Sequence, residues 1–188
     1  KMIHVAIRMH DGAADEQMED ELTNALHLTK PDIDFNDFRR ELFSPTEANI
    51  LVMLTAAKYM AGKNLEAIRI GEEILFALER SHSRLSDYKV LQINLAHNLS
   101  QILQDEGRYQ EALLYAKKAE NLSICGTEQF LLPEIEFSIA QILNNMKKRQ
   151  ESRMRMEALI PYMRLIGKKE MADLVQEYLE KNLTNDVN

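Results

Sequence analysis

Two short stretches decide the fold of this chain, because they repeat one pattern of glycine, glutamate and alanine. They are Gly62-Lys63-Asn64-Leu65-Glu66-Ala67-Ile68 and, 45 positions later, Gly107-Arg108-Tyr109-Gln110-Glu111-Ala112-Leu113. At an offset of 40, Gln101-Ile102-Leu103 recurs as Gln141-Ile142-Leu143, and Gln110-Glu111 recurs as Gln150-Glu151. Periods of this size are typical of stacked helical hairpins. The glycine permits a tight turn between two helices, and the small alanine lets the paired helices approach closely.

The composition favours long helices with few breaks. Six Gly and four Pro make up about 5% of the 188 residues, against a typical total of roughly 12%. The net charge of −7 argues against a chain that holds a nucleic-acid duplex by itself, because phosphate binding needs a concentrated basic surface. No apolar run approaches the ~20 residues of a membrane span. We therefore expect a cytoplasmic protein with no membrane contact.

Local signals place the individual helices. Ser44-Pro45-Thr46-Glu47 predicts a capping box and a helix that ends at Gly62. The other predicted helices cover about 15–28, 65–80, 87–106, 109–122, 128–146, 150–166 and 168–182, and Asp32–Leu42 is predicted as a short helical turn. The fold class is therefore all-α, a right-handed solenoid of helical hairpins. Residues 1–43 cap or precede the repeats, residues 44–183 form them, and residues 184–188 fray.

The second repeat, Gly107 to Leu113 followed by Ala116 and Ala119, resembles a tetratricopeptide (TPR) repeat. The pattern departs from that family in two ways. The spacing is 40–45 residues rather than 34, which implies longer helices. The third unit has Lys147 in place of the glycine and Ser152 in place of the alanine.

A wider resemblance covers residues 15–183. The order and spacing of four stretches are similar to the C-terminal half of bacterial Xre-type helix-turn-helix regulators with TPR-like, peptide-pheromone-receptor-like sensor domains. The stretches are Ala25-Leu26-His27-Leu28-Thr29-Lys30-Pro31, Phe43-Ser44-Pro45-Thr46-Glu47, Asn94-Leu95-Ala96-His97-Asn98-Leu99-Ser100 and Gly107-Arg108-Tyr109-Gln110-Glu111-Ala112-Leu113. The resemblance implies a region that dimerises, binds a signalling peptide in some members, and reaches DNA only through a preceding domain. Residues 1–14 carry no helix-turn-helix pattern, so we expect that domain to be absent from this chain.

The predicted helix 87–106 carries an unusual number of amides. Asn94, His97, Gln101 and Gln104 recur at spacings of 3, 4 and 3, which places them on one face. The first helix of each hairpin lines the concave side of a solenoid, so the repeat offsets extend this face to neighbouring helices. The candidate ligand-binding residues are Asn49, Tyr59, Asn94, His97, Asn98, Gln101, Gln104, Phe137, Gln141 and Asn144. Amides can satisfy an extended peptide backbone whatever its sequence, while Phe137 and Tyr59 would receive side chains. The alternative is a polar, hydrated helix face.

No pattern indicates catalysis, a metal or a cofactor. The five histidines have no metal-ligand spacing, and His27 and His97 are predicted on helix surfaces or at an interface. Cys125 is predicted as a partly buried structural thiol. Acidic runs such as Glu72-Glu73 and Glu19-Asp20-Glu21 are predicted as solvated faces. The basic residues Lys147, Lys148 and Arg149, with Arg153 and Arg155, indicate a contact with an acidic partner or a nucleic acid or, as we favour, a solvated turn between helices.

These observations leave two functions open. The first is a sensing and dimerisation domain of a bacterial transcriptional regulator, with a signalling peptide or protein segment and a second copy as partners. The second is a stand-alone TPR-type scaffold that recruits a protein partner.

Overall fold

Helices account for all the regular structure in the described part of the chain. The computed structural model describes residues 12–80, 86–125 and 130–183, and these contain no strand. The helices are α1 (Gly12–Thr29), α2 (Pro45–Met60), α3 (Asn64–Arg80), α4 (Ser86–Asp105), α5 (Tyr109–Cys125), α6 (Leu132–Asn145), α7 (Arg149–Leu165) and α8 (Lys169–Leu183). The all-α prediction is confirmed. The predicted frayed tail 184–188 and the first two residues of the predicted helix 128–146 lie outside the described residues.

The capping box at the start of α2 is confirmed. The Ser44 hydroxyl accepts a hydrogen bond from the Glu47 backbone N–H at 3.3 Å, and the Glu47 carboxylate accepts one from the Ser44 N–H at 2.8 Å. Pro45 occupies the first turn, where its missing N–H would have no helical partner. The helix therefore begins where the sequence requires.

Four turns between helices share one backbone conformation. Gly62, Gly107, Lys147 and Gly167 all have positive φ, at 73°, 71°, 63° and 82°. In each turn the next residue donates its N–H to the carbonyl five positions earlier, at 2.8–2.9 Å. This pair of features is a Schellman motif, which satisfies the last carbonyls of one helix while it reverses the chain. The sequence repeat is thus a repeat of one helix-ending turn.

A small, fully buried side chain follows each of these turns by five positions. The four residues are Ala67, Ala112, Ser152 and Ala172, all 0% exposed. Each donates its N–H to the carbonyl of the residue just after the turn, which starts the next helix. Ser152 fits the alanine position because its hydroxyl donates a 2.6 Å hydrogen bond to the Ala140 carbonyl of α6. The third repeat therefore keeps the same turn, although Lys147 replaces the glycine and Ser152 replaces the alanine.

The α5 helix buries a stripe of small residues, as predicted. Ala112, Ala116 and Ala119 are 0% exposed, and Ser123 continues the stripe one turn later. Short side chains on this face let a neighbouring helix approach α5 closely.

The helices divide between two compact units, Lys1–Ile102 and Leu103–Asn188. The core of the first unit contains the fully buried Leu26, Phe38, Leu54, Ile74 and Leu99. The core of the second unit is a cluster on α6, α7 and α8 that includes Phe137, Met156, Met163, Val175 and Leu179. The division falls within α4.

The segment between α1 and α2 forms isolated turns instead of the predicted helical turn over Asp32–Leu42. The Asp34 carboxylate accepts the Asn36 N–H at 2.8 Å, and the Asp37 carboxylate accepts the Arg39 N–H at 3.1 Å. These side-chain hydrogen bonds compete with helical ones and favour turns. The segment is then fixed by its fully buried Phe38.

Candidate functional site

The middle of α4 exposes only amide side chains. Between Ile93 and Leu103 the other side chains are buried: Ile93, Leu95, Ala96, His97, Leu99, Ser100, Ile102 and Leu103. Asn94 and Asn98 are half-buried, and Gln101 is exposed. Their spacings of four and three residues place the three amides in one line along the helix. We call Asn94, Asn98 and Gln101 the amide stripe.

Contacts in the first unit fix the helix that carries the amide stripe. The side chain of Tyr88, six residues before the stripe, is buried, and its hydroxyl donates a 2.7 Å hydrogen bond to the Phe43 carbonyl. The Leu99 side chain packs so closely on Gly71 of α3 that an added methyl group there would lie 2.8 Å from the Leu99 Cδ2. A helix held in this way loses little backbone freedom when a ligand binds.

His97 is not part of this accessible line. It is 8% exposed, and burial lowers its pKa to about 4. The imidazole is therefore neutral at physiological pH. His97 lies at the edge of the stripe, where the surface of α4 meets the core, so the helix-surface placement predicted for it is wrong, while its role as a ligand contact stays a prediction.

The two candidates on α2 lie far apart on that helix. Asn49 is exposed in the first turn, and its amide lies 3.9 Å from the Met53 sulfur. Tyr59 is half-buried in the last turn. Ten residues of helix separate them by about 15 Å, so they cannot both contact one small group.

In the second unit, a residue of α8 covers two of the predicted positions. The ring of Tyr178 lies edge-on to that of Phe137, with centroids 5.6 Å apart, and the Asn144 amide donates a 3.2 Å hydrogen bond to the Tyr178 hydroxyl. Phe137 is only 8% exposed and belongs to the core. The structure thus places Phe137 in the core instead of on an open surface, and its contact with a ligand side chain stays a prediction. Gln104 and Gln141 are half-buried.

The repeat pattern did not point to Tyr178, because α8 lies beyond the last stretch that the offsets of 40 and 45 residues match. The turn at Gly167 gave a usable signal. Glycine and alanine are five positions apart at Gly167 and Ala172, as in the first two repeats. The spacing of glycine and alanine alone, without a fixed repeat period, predicts this fourth turn.

Several charged residues predicted as solvated faces or clusters are instead paired. In the first unit the Lys58 ammonium lies 2.5 Å from the Glu19 carboxylate and 2.8 Å from that of Glu66, and Lys63 lies 2.9 Å from Glu19. Burial alone raises the pKa of Glu19, but hydrogen bonds from Lys58 and Lys63 outweigh it and hold the pKa below its usual range. This network ties α1 to the first repeat turn, so the prediction of a solvated Glu19 is wrong.

Glu73 is likewise buried rather than solvated. Its carboxylate accepts the Phe38 backbone N–H at 3.1 Å and pairs with Arg69 at 3.3 Å. The pairing anchors the irregular segment before α2 to α3.

The predicted basic cluster separates into two kinds of residue. Lys147, Lys148 and Arg149 are exposed at the turn between α6 and α7. Arg155 is instead half-buried, 3.0 Å from Glu120 of α5 and also paired with Glu136 of α6. Burial and a hydrogen bond with Glu120 raise the pKa of Glu136. Hydrogen bonds with Glu136, Lys117 and Arg155 outweigh burial at Glu120 and hold its pKa below the usual range. Arg155 is thus a structural partner of two carboxylates.

Groups that would carry other chemistry are sparse in the described part of the chain. Cys125 is exposed, which corrects the prediction of a partly buried thiol, because it ends α5 on the side opposite Ala112 and Ala116. Within residues 12–80, 86–125 and 130–183, no three His, Cys, Asp or Glu side chains gather at a metal-binding distance. A shallow depression of about 380 Å³ lies along Gly107–Glu111 and Met146.

The helices of the described segments are too short or too polar to cross a membrane. Comparison of the chain with protein-family models, with curated proteins and with solved structures gives no match.

Proposed function

We propose that this chain is a peptide-sensing and dimerisation domain of a bacterial transcriptional regulator. In this proposal the hairpins form a right-handed, TPR-like solenoid, and the DNA-binding domain lies outside the chain. The resemblance of residues 15–183 to such regulators supports the assignment. The four repeated helix-ending turns support the hairpin organisation.

The amide stripe on α4 is the single observation that carries the sensing role. A helix surface exposed only to water commonly carries Lys and Glu, yet the accessible positions from Asn94 to Gln101 are all amides. Each amide offers two N–H donors and a carbonyl acceptor, which match the C=O and N–H groups of an extended peptide. A charged side chain offers only donors or only acceptors. The stripe is therefore suited to a neutral backbone more than to an ion.

The dimensions of the stripe set the expected size of its ligand. Seven residue steps of helix separate Asn94 from Gln101, which is about 10 Å along the axis. An extended peptide rises about 3.3 Å per residue, so about three to four of its residues lie along the stripe. A ligand of about five to eight residues would cover the stripe and leave side chains for neighbouring positions.

Sensing requires that the peptide favour one conformation of the domain over another. A ligand shifts a conformational equilibrium only by its difference in affinity for the two states. We propose that a peptide on α4 favours one curvature of the hairpin stack, and that the attached DNA-binding domain responds to that curvature.

A binding screen tests this proposal. A synthetic library of peptides of about five to eight residues is screened against the chain by fluorescence anisotropy. The test variant is Asn94→Ala/Asn98→Ala/Gln101→Ala. We expect at least one peptide to bind the wild-type chain, and the triple variant to bind it about 100-fold more weakly, at about 1 kcal/mol for each lost hydrogen bond.

A matched control separates the stripe from amides in general. Asn121 of α5 and Gln176 of α8 are also accessible amides but belong to the second unit, and Asn121→Ala/Gln176→Ala should leave binding unchanged. Equal binding by wild type and triple variant would refute the site. Capture of a large folded protein with no peptide binding would favour the scaffold function.

A further inference from the structure

The outer face of α7 carries an apolar stripe that no other part of the described chain covers. Met154 is 63% exposed and Leu165 is 84% exposed, and the exposed Ala158 and Pro161 lie between them. The spacings of four, three and four residues place all four side chains in one line, which we call the outer stripe. The buried residues of α7, such as Met156 and Met163, lie on the opposite side of the helix.

The outer stripe is self-complementary when two copies of α7 meet in antiparallel orientation. A twofold axis opposite the point midway between Leu159 and Ile160 places Met154 against Leu165 of the second copy. The same axis places Ala158 against Pro161 of the second copy. The long side chains thus lie at the two ends and the short ones at the centre, where the helix backbones approach closely. An interface of this kind uses the same patch on both subunits.

The charges beside the stripe fit the same arrangement. Glu157 and Arg164 flank the outer stripe on the same side of α7, and both are exposed. In an antiparallel pair related by the twofold axis, the flanks of the two α7 helices that carry these charges lie on the same side of the interface. Glu157 of each copy therefore lies beside Arg164 of the other. Two such ion pairs form by symmetry. Within one chain these residues pair with the exposed Arg153 at 2.7 Å and Asp173 at 3.5 Å, surface contacts that exchange readily.

From this geometry we propose that the outer stripe of α7 is the interface of an antiparallel homodimer. The inference rests on the proposed function and deepens it, since it assigns the dimerisation role to named residues. The occupant is a second copy because both the apolar register and the flanking charges complement themselves. A single pair of helices is a small interface, so we expect a dimer that dissociates in the micromolar range.

Charge reversal tests the pairing. Sedimentation velocity of the chain over a range of concentrations should show a monomer–dimer equilibrium. Glu157→Arg and Arg164→Glu should each weaken the dimer about tenfold or more, because each places like charges together twice. The double variant Glu157→Arg/Arg164→Glu should restore wild-type association. Circular dichroism confirms that each variant is folded. Leu174→Glu, which introduces a charge at a 53% exposed site on α8, should not affect association.

Cross-linking tests the register. In a Cys125→Ser background, Met154→Cys and Leu165→Cys chains are mixed and oxidised. We expect a disulfide-linked heterodimer and much less linkage within either chain alone. If the wild-type chain stays monomeric, the outer stripe is not a homodimer interface and would instead bind another protein, which overturns the proposal. A dimer that ignores both single reversals, or that links Met154→Cys to itself, also overturns it.

These outcomes are independent of the peptide test. The reversals lie in the second unit and the amide stripe lies in the first. A wild-type chain that binds peptide but stays monomeric would refute the interface alone. A chain that dimerises as predicted, but whose stripe variant binds peptide as tightly as wild type, would refute the sensing site alone.

Discussion

Replacement of Lys147 by glycine should stabilise the protein. Lys147 has a φ of 63°, in the left-handed region, at the position that glycine occupies in the other three repeated turns. A side chain with a Cβ costs about 1–2 kcal/mol in this conformation. Glycine removes that strain but has more freedom in the unfolded chain, which costs about 0.5–1 kcal/mol. We therefore expect Lys147→Gly to raise the free energy of unfolding by about 0.5–1 kcal/mol.

The structure offers a reciprocal variant in the same unit. Gly107 has a φ of 71°, and a methyl group added there would meet nothing within 4 Å. Gly107→Ala should therefore lose about 1 kcal/mol through backbone strain alone. Lys147→Ala retains the Cβ and should not gain stability, which separates backbone strain from loss of a surface charge.

Urea unfolding followed by circular dichroism measures all three variants. The midpoint should move to higher urea for Lys147→Gly and to lower urea for Gly107→Ala, with the slope unchanged. The reasoning is refuted if Lys147→Gly is no more stable than wild type, or if Lys147→Ala gains as much.

Two further predictions concern the first unit. Gly71→Ala should lower the free energy of unfolding by about 1–2 kcal/mol, although alanine has the better helix propensity. The reason is that the new methyl group would lie 2.8 Å from Leu99 and 3.2 Å from Thr55. A urea midpoint at or above that of wild type would contradict this close packing. Glu19→Gln should lose about 1–2 kcal/mol at pH 7, because the buried Lys58 keeps only Glu66 as an anionic partner. The folded-state pKa of Glu19 lies below 4.5, so its contribution is present above that pH and disappears as the pH falls through the lowered value. The difference between variant and wild type should therefore shrink in acid, and a constant difference from pH 7 to pH 3 would refute the assignment.

The positions of turns and helices were predictable because they depend on local chemistry. Glycine at a positive φ, a serine cap and a proline in the first turn act within a few residues of where they occur. The third repeat was recognisable from its register although Lys147 and Ser152 replace the usual residues. The hydroxyl of Ser152 bonds to a carbonyl on another helix, a compensation that no local pattern shows.

The accessibility of the candidate site was only partly predictable, because it depends on packing between distant residues. The spacing placed Asn94, Gln101 and Gln104 on one face, and the structure leaves these amides and that of Asn98 at least partly accessible. The same spacing included His97, which lies on the border of that face and is buried. The repeat offset selected Phe137 and Asn144, but α8 brings Tyr178 onto both from 34 positions beyond Asn144. Equivalent positions in a repeat have equivalent surroundings only where the next helix is also equivalent.

The central claim is that the amide stripe binds peptide backbone, and side-chain amide resonances test it most directly. In ¹⁵N-labelled chain, the tightest peptide from the library should shift the NH₂ signals of Asn94, Asn98 and Gln101. The NH₂ signals of Asn121 and Gln176 should remain in place. Unchanged signals from the three stripe amides at a peptide concentration that saturates binding would contradict the account.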